Sequence, residues 1–134
     1  MTELEAVQAE AFGPGLLPGH LGMTLERCGD GTAVVCLPFR PEHRQHLGVL
    51  QGGITATLID VAMAWAVTSA IHPRSAPTVD LHVQYLLPVV DEDLRCEAVV
   101  VRAGRSVAAA RADVTTATGA LVAVGTGSFL VRAS

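Results

Sequence analysis

Polar and apolar residues alternate without a fault along Thr78-Val79-Asp80-Leu81-His82-Val83-Gln84-Tyr85, as a strand with one covered face must. Pro88 ends that run. Upstream, Ile54 to Ile71 has the other period: Ile54, Leu58, Val61, Ala62 and Trp65 recur at helical spacing while Ala fills the remaining faces, so the segment reads as a buried helix apolar nearly all round. Gly52-Gly53 opens it and His72-Pro73-Arg74 breaks it. Residues Thr2 to Phe12 predict a short helix with Thr2 as N-cap, Glu5 in capping-box spacing and Gly13-Pro14-Gly15 as terminator. Leu21 to Cys28 and Thr32 to Phe39 predict two strands around the hairpin turn Gly29-Asp30-Gly31. The loops are the segment after Gly15 and the stretch from Arg40 to Gln51. Leu94 to Ala103, Ser106 to Thr116 and Ala120 to Arg132 are Val- and Ala-rich runs separated by Gly104-Arg105 and Thr118-Gly119, and read as three more strands.

The order is therefore a hairpin, one long helix, then four strands joined by tight connections. That order predicts an α+β domain in which an antiparallel sheet of about five to six strands wraps around one central helix. With 134 residues, half of them hydrophobic, residues 1–134 suit a single domain.

Charge removes several classes of function. All nine cationic side chains are Arg against thirteen acidic ones, for a net charge of −4, which leaves neither a nucleic-acid footprint nor a lysine for Schiff-base chemistry. Cys28, Cys36 and Cys96 are odd in number and share no C-x-x-C spacing, so neither a disulfide framework nor a zinc site is expected. Together with the acidic N-terminus Met1-Thr2-Glu3-Leu4-Glu5, this predicts a cytoplasmic protein. The helix is apolar enough to raise the question of a membrane span, but Asp60 within it would cost roughly 2.5–3.5 kcal/mol near a bilayer centre. No membrane association is expected.

Asp60 is the only ionisable side chain between Gly52 and Ile71. A carboxylate on an apolar helix must be hydrogen-bonded, raised in pKa or opened to a ligand cavity. It is either a satisfied structural group or the reactive group of a site. Gly52 and Gly53 carry unblocked backbone N–H groups at the positive end of the helix dipole, where a carbonyl oxygen or oxyanion would be stabilised. A Gly pair equally serves a sharp loop-to-helix turn.

The stretch from Gln45 to Asp60, Gln-His-Leu-Gly-Val-Leu-Gln-Gly-Gly-Ile-Thr-Ala-Thr-Leu-Ile-Asp, resembles the N-x-x-G-x-x-H-G-G-x-x-x-x-x-x-D signature of PaaI-like hotdog acyl-CoA thioesterases. Gly48, Gly52, Gly53 and Asp60 fall at the family's spacing, and the order of elements agrees along nearly the whole chain. The resemblance implies the hotdog fold and hydrolysis of an acyl-CoA with an aromatic or medium-chain acyl group. It implies Asp60 as nucleophile or general base, the Gly52 N–H polarising the thioester carbonyl, and Thr78, two residues before Asp80, holding water or the carboxylate. Two positions depart from the pattern: Gln45 stands where Asn is usual, as in the 4-hydroxybenzoyl-CoA branch, and Gln51 replaces the His before the glycines. Gln45 keeps an amide able to orient water or the carbonyl, whereas His46 reads as a loop residue beside the substrate. The turn Arg102-Ala103-Gly104-Arg105-Ser106 resembles turns that lie near the pantetheine and nucleotide, making Arg102, Arg105 and Ser106 candidate coenzyme A contacts. The acyl group is expected near Gly53, Met63 and Trp65. No metal or redox cofactor is called for, since carboxylate and backbone dipole supply base and electrophile.

Geometry adds a constraint of its own. Gly52 and Asp60 are eight residues apart, about 12 Å along a helix, so one thioester cannot meet both in one chain. An antiparallel twofold pairing of helices would bring Gly52 and Gln45 of one subunit against Asp60 and Thr78 of the other. A homodimer with composite sites is expected, with two dimers pairing into a tetramer. The same fold could serve a non-catalytic acyl-CoA or aromatic-ligand binding protein. A hotdog hydratase would need a D-x-N-P-x-H-like loop, which the sequence does not contain.

Overall fold

A computed structural model describes residues 1–133; Ser134, the last residue of the expected domain, lies outside them. The chain begins with helix α1 (Glu3–Ala11), capped as expected by Thr2, whose hydroxyl accepts from the Glu5 N–H at 3.1 Å. A short helix α2 (Leu17–His20) then occupies what the sequence reads as loop; Pro18 in its first turn has the φ that helix entry needs. Strand β1 (Thr24–Gly29) starts three residues later than the apolar pattern suggests. The N–H groups of Leu21 and Met23 donate to Leu17 and Pro18 carbonyls of α2, so these two core residues are committed to the helix end rather than to a ladder. Asp30 and Gly31, with φ of 52° and 78°, make the tight turn into β2 (Thr32–Leu37). Pro38 stops β2 two residues short of the expected end, because it has no N–H to offer a sheet. Beyond a 3₁₀ turn at Pro41–His43 come helix α3 (Gly52–Ile71) and strands β3 (Thr78–Tyr85), β4 (Leu94–Ala103), β5 (Val107–Thr116) and β6 (Leu121–Leu130).

The six strands form one sheet in the order β1-β2-β4-β5-β6-β3, antiparallel throughout. α3 lies across its inner face, mainly over β2, β4 and β5. This is the expected α+β plan of an antiparallel sheet around one long helix.

Two expectations need correction. α3 is not buried all round: Thr55, Leu58, Ile59, Ala62, Met63, Ala66, Val67 and Ile71 form one buried stripe, while Ile54, Ala56, Thr57, Asp60, Val61, Ala64 and Trp65 are only partly covered. The sheet curls over one side of the helix and leaves the other open. Nor has β3 a covered face. It is the edge strand, and every residue of it except half-buried Val83 is exposed, Val79 by 65%. Its pairing with β6 runs from Thr78 opposite Phe129 to Tyr85 opposite Ala123, with a bulge between Thr78 and Asp80.

The buried stripe of α3 meets an inner sheet face of very small residues: Ala108, Ala110 and Ala112 on β5, and Ala123, Gly125 and Gly127 on β6. A Cβ at Gly125 would sit 2.6 Å from Cγ2 of Ile59, and one at Gly127 would sit 2.8 Å from Cε of Met63. Gly125 faces a stiff β-branched side chain, so Gly125→Ala is expected to lower unfolding free energy by about 1–3 kcal/mol. Gly29→Ala, with nothing within 4 Å of the added carbon, should stay within about 0.5 kcal/mol of the parent. Urea denaturation of the two variants checks the contrast.

Candidate active site

The edge strand and α3 bring Asp60 and Thr78 together. The Thr78 hydroxyl donates to Oδ1 of Asp60 at 2.7 Å. Asp60 lies on the partly covered side of α3, one position round from buried Ile59, and Thr78 is exposed. Of the ways sequence left for Asp60 to exist on an apolar helix, hydrogen bonding is the one observed. Its second oxygen, Oδ2, accepts from no group among the described residues.

The helix start forms a second cluster. Gln51 precedes Gly52 without a side-chain cap, and its own N–H donates to the His43 carbonyl at 2.9 Å. Among the described residues no acceptor meets the N–H of Gly52 or Gly53, as expected for the first turn of a helix. Gly53 and Gln51 are exposed, and Gly52 is half-buried. Gly52 lies on a cleft of about 360 Å³ that it shares with Gln45, Thr55, Tyr85, Leu87 and Val122. The loop before it is stiffened by Gln45, whose amide oxygen accepts from the Leu47 N–H at 2.5 Å and whose backbone pairs with Val49 and Gly48. Gly48 turns that loop at φ 87°, a left-handed conformation that costs other residues. The Gln45 amide NH₂ is left without a partner among the described residues, and Gln45 lines the same cleft as Gly52.

Tyr85 is the residue sequence reasoning missed. It ends β3, and its hydroxyl donates to the Gly52 carbonyl. Partial burial pushes its phenol pKa up from a value already well above neutral, so the hydroxyl keeps the proton it donates. The only signal available was its place as the last apolar position of the alternating run, which any strand residue shares. The leucines and Val89 that follow it across Pro88 also line the cleft, where the sequence reading saw only a strand end.

Other candidates lie apart. His46 is exposed in the loop. Trp65 stacks obliquely on Phe12, ring centres 5.9 Å apart, and its carbonyl accepts from the Cys28 thiol; it stands thirteen residues, about 20 Å of helix, from Gly52. Met63 is fully buried against β6. Arg102, Arg105 and Ser106 are exposed at the β4–β5 turn, around a separate hollow of about 340 Å³. The thiols make poor nucleophiles: burial pushes Cys28, Cys36 and, furthest of all, Cys96 above the ordinary thiol range.

One chain therefore carries a hydroxyl-anchored carboxylate at one end of β3 and an open helix N-terminus with an apolar cleft at the other. Residues 47–123 match the Thioesterase superfamily. Over 148 aligned residues the chain is 37% identical to a protein of Halobacterium salinarum named as an esterase, covering 98% of this chain and 97% of that one. It is 31% identical to human acyl-coenzyme A thioesterase 13 over 105 residues, covering 77% and 75%. The PaaI protein of the E. coli phenylacetic acid degradation operon superposes with a TM-score of 0.83 over 87% of this chain and 84% of its own, at 20% identity, which speaks for the fold alone. The fold is the hotdog of the PaaI-like enzymes, and the chain belongs to the Thioesterase superfamily as a thioester hydrolase.

Proposed function

We propose that this protein hydrolyses an acyl-CoA carrying an aromatic or medium-chain acyl group, in composite sites formed between two copies of the chain. The observation that carries this reading is the Thr78–Asp60 hydrogen bond. It fixes the one carboxylate of α3 at the protein surface with its second oxygen unengaged, as a base or nucleophile requires. The name of the human relative, an acyl-coenzyme A thioesterase, supports coenzyme A as the thiol half of the substrate.

The two halves of the chemistry sit at opposite ends of β3. Thr78 and Tyr85 are seven steps apart, about 23 Å of extended chain, so Asp60 and Gly52 of one chain do not face one thioester. β3 is an exposed edge that presents unpaired backbone groups and the apolar side chains of Val79, Leu81 and Tyr85, which is a template for a further strand. Two copies of β3 paired antiparallel about a twofold near Leu81 and His82 would set Thr78 of one chain beside Tyr85 of the partner subunit. Asp60 then faces Gly52 and Gln45 of the partner subunit.

In such a site the thioester oxygen takes the N–H groups of Gly52 and Gly53, the Gln45 amide orients the carbonyl or the water, and the acyl group enters the apolar cleft. Asp60 either removes a proton from water as it adds to the carbonyl carbon or attacks that carbon itself. The carbon–sulfur bond breaks, coenzyme A leaves as a thiolate that takes up a proton, and water completes release of the acid. Arg102, Arg105 and Ser106 are the proposed contacts to the phosphates and pantetheine, by charge-assisted hydrogen bonds. Carboxylate and backbone dipole suffice without metal or redox cofactor.

Release of free coenzyme A from phenylacetyl-, hydroxybenzoyl- and medium-chain acyl-CoAs tests the chemistry. Asp60→Asn is expected to lose roughly a hundredfold or more in kcat; binding of the thioesters with no release by either protein would make Asp60 structural. The composite geometry has its own signature. Asp60→Asn and Gly52→Val chains, each inactive alone, should regain about a quarter of wild-type activity when refolded together one to one, because each mixed dimer rebuilds one intact site. No recovery would place both groups in one chain.

A further inference from the structure

The first turn of α3 needs something to hold it in place. Helix N-termini fray, since their first N–H groups have no partner, and Gln51 supplies no side-chain cap. Tyr85 reaches this turn from the other element of the site. Its hydroxyl donates to the Gly52 carbonyl, and its ring fills the space where a residue-52 side chain would go: a Cβ there would lie 3.2 Å from both Cζ and the hydroxyl oxygen. The Gly52 φ lies outside the left-handed range, so backbone conformation does not demand glycine here. The tyrosine does.

The bonded carbonyl belongs to the peptide unit whose N–H is that of Gly53. In a planar trans peptide the two groups point in opposite directions, so fixing the carbonyl fixes the Gly53 N–H, and through one Cα it restrains the Gly52 N–H. A donor on the carbonyl also draws electron density from the amide and makes its N–H a stronger donor. We propose that Tyr85 is a positioning residue for thioester hydrolysis: its phenol orients and polarises the 52–53 peptide so that the paired glycine N–H groups face the carbonyl oxygen of the bound thioester. Residues 52 and 85 are one unit, the glycine making room for the ring and the ring holding the glycine's peptide. This rests on the assignment of Gly52 and Asp60 to the reaction.

Steady-state kinetics with phenylacetyl-CoA and octanoyl-CoA on wild type, Asp60→Asn, Tyr85→Phe, Gly52→Ala and the Gly52→Ala/Tyr85→Phe double variant test it, with the folded fraction of each measured by circular dichroism. Tyr85→Phe keeps the ring and is expected to lower kcat about tenfold, the worth of one oriented hydrogen bond, while KM stays within about threefold. Gly52→Ala should cost less in the Tyr85→Phe background than in wild type, because the hydroxyl it collides with is gone. If Asp60→Asn abolishes turnover and Tyr85→Phe keeps kcat within about twofold, the role of Tyr85 is overturned and the site assignment stands. A kcat loss that disappears on correction for folded fraction, or strictly additive effects of the two substitutions, overturns it as well. If Asp60→Asn retains wild-type turnover, or wild type hydrolyses neither thioester, both fall together.

Discussion

The structure depends on how closely α3 can approach the sheet. Ile59 and Met63 press onto backbone at Gly125 and Gly127, where an added Cβ would come within 3 Å of them, and Ala108, Ala110, Ala112 and Ala123 keep the neighbouring floor low. Close approach excludes water and gains dispersion contacts along the whole stripe. It also fixes the helix in rotation. With Ile59 held against β6, its neighbour Asp60 is turned about 100° around the axis, out of the core and towards the edge strand. The placement of the carboxylate is thus a by-product of packing Ile59 and Met63 onto β6, and needs no distortion of the helix.

The edge strand then finishes the site at both ends with the same chemistry. A hydroxyl of β3 donates to a carboxylate at one end and to a peptide carbonyl at the other. Both acceptors belong to α3, so β3, which packs little of its own surface, is tied to the helix mostly by these two bonds and by Val83. Such polar ties are directional, as hydrophobic contact is not, and they orient the reactive groups on an element that the core itself scarcely holds.

Much of this was legible in the sequence. The helical period of Ile54 to Ile71, the glycine punctuation between the late strands and the isolated Asp60 led to the right elements and to a sheet around one helix. α2 was missed because Leu17-Pro18-Gly19-His20 has too few residues for a period and carries two residues usually read as breakers. The exposed side of α3 was misjudged because alanine and valine look alike whether they face a core or a surface left open by the curl of the sheet. β3 reads as a strand with a covered face for a related reason: alternation reports that one face differs from the other and is silent on what covers it. Tyr85 escaped because its function lies in a contact with a residue thirty-three positions away, and a contact of that kind leaves no local periodicity.

The bulge near the start of β3 resolves a matter of parity. Residues 78 and 85 are separated by an odd number, so in a regular strand their side chains would project from opposite sides of the sheet. Their partners on β6, Phe129 and Ala123, are separated by an even number and both face inward. The one extra residue admitted between Thr78 and Asp80 changes the phase of the strand once, so that threonine and tyrosine both look at the helix. Read by strict alternation, Thr78 belongs with Asp80, His82 and Gln84 on the outer surface. Were the bulge smoothed out with every residue kept, Val79 would take the inward place opposite Phe129 and the threonine would turn away from the carboxylate.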